Sequence, residues 1–144
     1  MTKSKADWDN IPSIDGLGVD WDYEPESPLG KRDLVRIESK DLKTILGVKN
    51  IPVKVAAQGY EGKGYLVDIA QGGIAVLLDA RLTESQPVKL GLFLGNQKVL
   101  SRAIVRSVSQ QKGGYRTGME FVSLQEEYAT YIGGLVSSKV YKTI

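Results

Sequence analysis

The stretch "PVKLGLFLGNQKVLSRAIVRSV" (residues 87–108) carries the strongest structural signal in the chain. Its first part alternates apolar and other side chains with the period of a strand that buries one face. The apolar members of that alternation are Val88, Leu90, Leu92 and Leu94. A second apolar run follows the turn-like "GNQK". Two strand-like runs joined by so short a turn predict an antiparallel hairpin.

Four more short runs of strand-like composition lie on either side of this hairpin. Loops that contain Gly, Asn, Gln or Ser at short intervals separate them. Short strands at such even spacing favour an all-β antiparallel sandwich or barrel. The four runs are "IPVKVAAQ" (51–58), "KGYLVDI" (63–69), "GIAVLLD" (73–79) and "YRTGMEFVSL" (115–124).

The end of the chain changes period and predicts an α-helix over about residues 123–142. Five apolar or aromatic residues form one helical stripe, and Ser123 with Glu126 has the spacing of a capping box. Glycines weaken helices, so we expect this helix to end or bend at Gly133-Gly134. A shorter helical turn is predicted for residues 42–48, with Gly47 as its C-cap. The stripe consists of Leu124, Tyr128, Tyr131, Ile132 and Leu135.

Composition excludes several classes of function. The chain of 144 residues contains no Cys and no His, which rules out disulfides, Cys/His zinc sites, Ser-His-Asp triads and His acid–base catalysis. No apolar run approaches the ~18 residues of a membrane span, and the N-terminus lacks the apolar segment of a signal peptide. We therefore expect a soluble cytoplasmic protein that is not an enzyme, with no membrane insertion.

Charge divides the chain into an acidic leader, residues 1–28, and a basic body, residues 29–144. Seven Asp/Glu against two Lys give the leader a net charge of −5, and 17 Lys/Arg against 10 Asp/Glu give the body +7. Breaker residues and weak periodicity predict that the leader is mostly disordered. Both tryptophans, Trp8 and Trp21, nevertheless lie in it. This suggests that part of the leader docks onto the body or onto a partner.

Two features of the body suggest chemistry. Arg32 and Arg36 are four residues apart, and a guanidinium can bond bidentately to phosphate or to the O6/N7 edge of guanine. Asp68 ends one predicted strand before the Gly72-Gly73 turn, where a carboxylate can accept hydrogen bonds from a guanine. Each feature alone is more typical of a solvated surface or an ordinary β-turn than of a binding site. Arg102 and Arg106 share a predicted strand face, and we prefer an exposed barrel face to an additional binding surface as its interpretation.

Taken together, these residues resemble the PilZ domain family. That family's pattern is R-x-x-x-R followed by (D/N)-x-S-x-x-G, and this chain has Arg32-x-x-x-Arg36 and then Asp68-x-Ala70-x-x-Gly73. The resemblance covers about residues 31–124. It implies a six-stranded antiparallel barrel with a C-terminal helix.

The resemblance also implies a ligand, the bacterial second messenger cyclic di-GMP. Arg32 and Arg36 would grip its phosphates and guanine edges, Asp68 would bind a guanine, and Gly73 would allow close backbone approach. Ala70 replaces the family's serine, so one hydroxyl contact is missing. The stretch "ESKDLKTILGVKN" after Arg36 is longer than the family's usual link and puts the alignment of the arginines with Asp68 in question.

The predicted function is a receptor that binds cyclic di-GMP and relays the signal to an unidentified protein effector, without a further cofactor or metal. The alternative is a degenerate PilZ-like adaptor that binds no nucleotide and acts by protein–protein interaction. A second rival, a small-barrel binder of single-stranded nucleic acid, needs aromatic stacking platforms that the body offers only sparsely. We therefore expect no DNA or RNA partner.

Overall fold

The computed structural model of the chain describes residues 12, 14, 17, 21, 36–122 and 124–142, the last five of these as backbone only. The predicted disorder of the leader concerns residues that lie, apart from four, outside this set. The same holds for Ser123, the first residue of the predicted capping box.

Seven antiparallel strands and two helices make up the described chain. All six strands predicted from alternation are present, each within about three residues of its expected bounds, and the 87–108 stretch forms the expected hairpin. A short strand that the sequence does not predict precedes them. The strands are β1 (Ile37–Glu38), β2 (Pro52–Ala57), β3 (Tyr60–Ile69), β4 (Gly73–Leu78), β5 (Pro87–Leu94), β6 (Gln97–Gln111) and β7 (Gly114–Val122).

Strands β2 to β7 close into a six-stranded barrel, as the family resemblance implies. Neighbours follow the order β3-β2-β5-β6-β7-β4, and β4 pairs back onto β3. Closure is possible because β3 has ten residues. Its first half pairs with β2 from Tyr60 to Tyr65, and its second half pairs with β4 from Tyr65 to Ile69.

The core fills the inside of this barrel. The predicted inward residues of β5 are all buried, and the largest fully buried side chain is Phe121 on β7. Burial alternates along the first half of β2 and along much of β7, as expected for strands with one inner apolar face. Burial of this apolar surface is the main stabilising contribution to the fold.

The long link after Arg36 is folded. It forms the short strand β1 and a helix, α1 (Ser39–Leu46), whose Leu42 is fully buried. The helix ends as predicted at Gly47, which has φ 69° and ψ 36°. The Val48 N–H donates to the Lys43 carbonyl at 3.0 Å, which satisfies a terminal carbonyl of the helix.

The second helix, α2 (Glu126–Lys142), covers one end of the barrel with the predicted stripe. Tyr128, Ile132 and Leu135 are buried in the core, and the Tyr131 hydroxyl donates to the Leu94 carbonyl at 2.9 Å. The helix reaches Lys142, as in the predicted range of 123–142. Of the two outcomes expected at Gly133-Gly134, an end of the helix is therefore wrong. Core packing of the stripe on both sides of the glycines outweighs their low helix propensity.

No helix in the described part of the chain is both long and apolar enough to cross a membrane.

Replacing Gly134 by Ala should stabilise the protein. A Cβ at this exposed helical position meets nothing within 4 Å, so alanine reduces the entropic cost of helix formation by about 1 kcal/mol without a steric penalty. Urea unfolding would measure the gain. Gly133→Ala is the control, because its Cβ would lie 2.7 Å from Gln71 Nε2 and the gain should shrink. Destabilisation by Gly134→Ala would contradict a continuous helix.

Candidate functional site

A β-bulge turns Asp68 to the outside of the barrel. Leu66 and Ile69 both belong to the core although they are three residues apart, which is incompatible with strict strand alternation. The register of β3 against β4 shifts between Leu66 and Asp68, so Val67 is the extra residue. Bulges of this kind redirect side chains next to functional sites. Here the bulge places the carboxylate on the outer face, while the side chains of Leu66 and Ile69 fill the core.

Strand β1 brings Arg36 to this carboxylate. Ile37 is fully buried and pairs with Ile69 of β3, which fixes the chain immediately after Arg36. Arg36 Nη1 lies 2.6 Å from Asp68 Oδ1. The long link after Arg36 therefore does not separate Arg36 from Asp68. Its extra residues form helix α1, which follows β1 and precedes β2 in the chain.

Arg116 on β7 reaches the same carboxylate from the opposite side. Its Nη2 lies 2.9 Å from Asp68 Oδ2. Strand β4 lies between β3 and β7, and the residues that share the rung of Asp68 are small, Ala75 on β4 and Gly118 on β7. Their small size leaves space above β4 for a long side chain from β7. The cluster thus joins three segments distant in sequence.

The three side chains place two exposed guanidiniums around a shielded carboxylate. The Asp68 side chain is 10% exposed, whereas those of Arg36 and Arg116 are 52% and 37% exposed. Glu38, directly across the strand pair from Asp68, adds a second carboxylate to this face. Each guanidinium carries five donors. Donors not bound to Asp68 are available to an anion from solution.

The turn after Asp68 is packed closely against β7 and α2. Ala70 is 2% exposed, and its N–H donates to the Gly73 carbonyl at 2.8 Å. Gln71 Nε2 donates to the Ala129 carbonyl of α2 at 2.9 Å. A Cβ on Gly73 would lie 2.5 Å from the Met119 carbonyl oxygen. The approach of β7 is therefore a structural reason for glycine at this position.

The structure thus brings together Arg36 and Asp68 and places Ala70 and Gly73 in the adjacent turn. Arg32 lies outside the described residues. The sequence analysis missed Arg116, because pairing across three strands is invisible in a linear pattern. One signal was present: Arg116 precedes inward Thr117 in "YRTGMEF", so alternation points it outward.

The other two arginines considered from the sequence have different surroundings. Arg106 is exposed, as expected, and its Nε lies 2.7 Å from Glu120 Oε1. Arg102 is only half-exposed, and its Nη2 donates to the Leu17 carbonyl at 2.7 Å. The described residues contain no group of three acidic side chains placed to hold a metal ion.

Comparison with known proteins identifies the family to which this barrel is related. The family model of the PilZ domain matches residues 48–138. An uncharacterized protein of Aquifex aeolicus is 30% identical over 118 residues, which cover 81% of this chain and 53% of that protein.

Solved structures share the fold at low identity. The Bacillus subtilis inhibitor of motility, MotI/DgrA, superposes with a TM-score of 0.61 at 18% identity over 77% of this chain and 52% of its own. YcgR of Escherichia coli, solved in complex with c-di-GMP, has a TM-score of 0.61 at 17% identity over 78% and 47%. PlzA of Borreliella burgdorferi, also solved with c-di-GMP, has a TM-score of 0.57 at 18% identity over 75% of this chain and 43% of its own. The chain spans about half the length of these relatives.

Gly73→Ala should destabilise the barrel. The added Cβ would collide with the Met119 carbonyl of the backbone, which cannot rotate away as a side chain can. We expect a loss of about 1–3 kcal/mol of unfolding free energy, the usual cost of overpacking. Urea unfolding checks this, with Gly134→Ala as the matched glycine change in open space. Unchanged stability would show that β7 does not require glycine here.

Proposed function

This chain belongs to the PilZ domain family, and we propose that it binds cyclic di-GMP at the cluster of Arg36, Asp68 and Arg116. The observation that carries the proposal is the outward carboxylate of Asp68 held between two half-exposed guanidiniums. Of the structural neighbours, YcgR and PlzA were solved with this ligand. Asp68 also occupies the acidic position of the family pattern.

The cluster has the donors and acceptors that the ligand requires. Cyclic di-GMP offers two phosphates and two guanines, and a guanidinium fork matches both a phosphate and the O6/N7 edge of guanine. Asp68 can accept from the N1–H and N2–H₂ of a guanine. Without ligand, the arginines satisfy this carboxylate. Binding would exchange part of these ion pairs for contacts to phosphate and base.

Arg32, which precedes Arg36 in the chain, would add a further contact to the ligand. In this proposal the ligand draws the segment around residues 25–36 onto the barrel through Arg32 and Arg36. Such an order–disorder change requires that the ligand bind the ordered state more tightly than the other. The change would alter the surface offered to a protein effector, with the adjacent leader as the partner-facing element.

Ala70 favours the second candidate, an adaptor that binds no nucleotide. The family pattern has serine at this position, and Ala70 is 2% exposed in the turn beside Asp68. A missing neutral hydrogen bond costs about 0.5–1.5 kcal/mol, or at most about tenfold in affinity. Loss of one such contact weakens binding without removing the charged contacts. We therefore place the receptor first.

Isothermal titration with cyclic di-GMP tests the proposal. Wild-type protein should release heat, and Arg36→Ala should weaken binding by about 10- to 100-fold, because one charge-assisted contact is worth about 1.5–3 kcal/mol. Arg116→Ala should weaken binding comparably. Arg81→Ala is the control, an exposed arginine beyond the far end of β4 from Gly73. Absence of heat from folded wild type at tens of micromolar ligand would favour the adaptor.

Ala70→Ser should tighten binding, because it restores the hydroxyl of the family pattern. We expect an increase in affinity of up to about tenfold. The same titration measures it, and the double variant with Arg36→Ala should stay weak, which separates a ligand contact from a general change in the fold. Unchanged affinity in a stable Ala70→Ser protein would show that this turn does not contact the ligand.

A further inference from the structure

The four described residues of the leader lie along the outer face of β5 and β6. Pro12 and Ile14 are buried. A Cβ added to Gly91 of β5 would lie 3.0 Å from Ile14 Cγ2 and 3.2 Å from Pro12 Cγ. The glycine therefore leaves a depression that these two apolar side chains fill together with Leu100 of β6, whose Cδ2 would lie 2.8 Å from the added Cβ.

Two basic residues of the barrel contact the other two described residues of the leader, Leu17 and Trp21. Lys89 Nζ lies 4.2 Å from the centroid of the Trp21 ring, a cation–π geometry. Arg102 Nη2 donates to the Leu17 carbonyl at 2.7 Å. Lys89 lies between core-facing Val88 and Leu90, so its side chain points to the outer face of the barrel. Because it is nevertheless only 3% exposed, it is covered there.

The register explains why this face needs an occupant. Lys89 and Arg102 are direct cross-strand partners, and like charges in that position repel. The barrel sheet itself gives this outer face no opposing layer. An aromatic ring and a carbonyl oxygen over the two cations offset both the repulsion and the cost of covering them.

The sequence around Trp21 fits a basic surface. In the sequence, Asp20 and Asp22 precede and follow Trp21 in the triplet Asp-Trp-Asp, and the leader contains the same triplet at residues 7–9. The segment therefore combines an apolar start with a tryptophan between carboxylates. This composition is complementary to a glycine depression next to a pair of cations.

We propose that Lys89, Gly91 and Arg102 form a docking surface for an acidic, tryptophan-containing peptide, and that the chain's own leader occupies it. The surface is separate from the Arg36–Asp68–Arg116 cluster, since it uses β5 and β6 instead of β1, β3 and β7. Peptides of the same chemistry would compete with the leader for it. The proposal does not depend on nucleotide binding.

Fluorescence of the full-length protein tests this directly. Trp8→Phe leaves Trp21 as the only tryptophan, and the probe for the undocked state is a synthetic peptide of residues 10–24. Acrylamide should quench Trp21 in the protein about fivefold less efficiently than in the peptide. One cation–π contact together with apolar burial is strong enough to shift the leader towards the docked state by this much. Equal quenching in both would overturn the proposal.

Two substitutions in the Trp8→Phe protein identify the contacts. Gly91→Val fills the depression and should raise quenching towards that of the peptide. Lys89→Met removes the ammonium, retains an apolar stem and should do the same. Lys112→Met is the matched control, an exposed lysine in the β6–β7 turn whose loss should change nothing. Circular dichroism confirms that each variant is folded, and folded variants with wild-type quenching would overturn the proposal.

Binding in trans distinguishes this occupant from others. The Trp8→Phe/Trp21→Ala protein contains no tryptophan, so the peptide's own fluorescence reports its binding. We expect saturable binding that Lys89→Met abolishes, and much weaker binding to a chain with an intact leader. Quenching of Trp21 that falls with protein concentration, together with a dimer in sedimentation, would contradict docking within one chain.

Discussion

The strand β3 holds the barrel closed, because three other strands hydrogen-bond to it. Its length lets β2 and β4 pair with successive halves, and β1 pairs with its last two residues. The bulge at Val67 corrects the alternation so that Leu66 and Ile69 both reach the core. The position of Asp68 on the outside is thus a consequence of barrel closure, and the candidate site is anchored in the most constrained strand.

The Arg36–Asp68–Arg116 cluster and the docking surface differ in the groups that bind their cations. Arg36 and Arg116 share a carboxylate and stay half-exposed, so their contacts can be exchanged for those of an incoming anion. Lys89 is covered by an aromatic ring and is almost inaccessible. One surface is therefore suited to a small soluble ligand, and the other is suited to a peptide that brings its own apolar side chains.

The sequence predicted the six barrel strands well, because each alternates clearly and pairs with neighbours. It did not predict β1, whose two residues are a strand only because β3 lies beside them. It found Asp68 and Arg36 through the spacing of a family pattern, but Arg116 depends on a contact across β4. The helix passes Gly133-Gly134 because core packing outweighs propensity. The tryptophans predicted that the leader docks, yet only the cross-strand pair of Lys89 and Arg102 shows where.

The docked Trp21 has a consequence for the chain that follows it. Fourteen residues, 22–35, connect it to Arg36, and their contour length when extended is about 50 Å. Lys89 shares a rung with Ala56 of β2 and Glu61 of β3. Asp68 lies seven residues further along β3, so the gap between Lys89 and Asp68 is about 25 Å. The extended length of these residues exceeds this gap. Chain length therefore does not prevent Arg32 from reaching Asp68 while Trp21 stays on Lys89, and the two surfaces can be occupied at the same time.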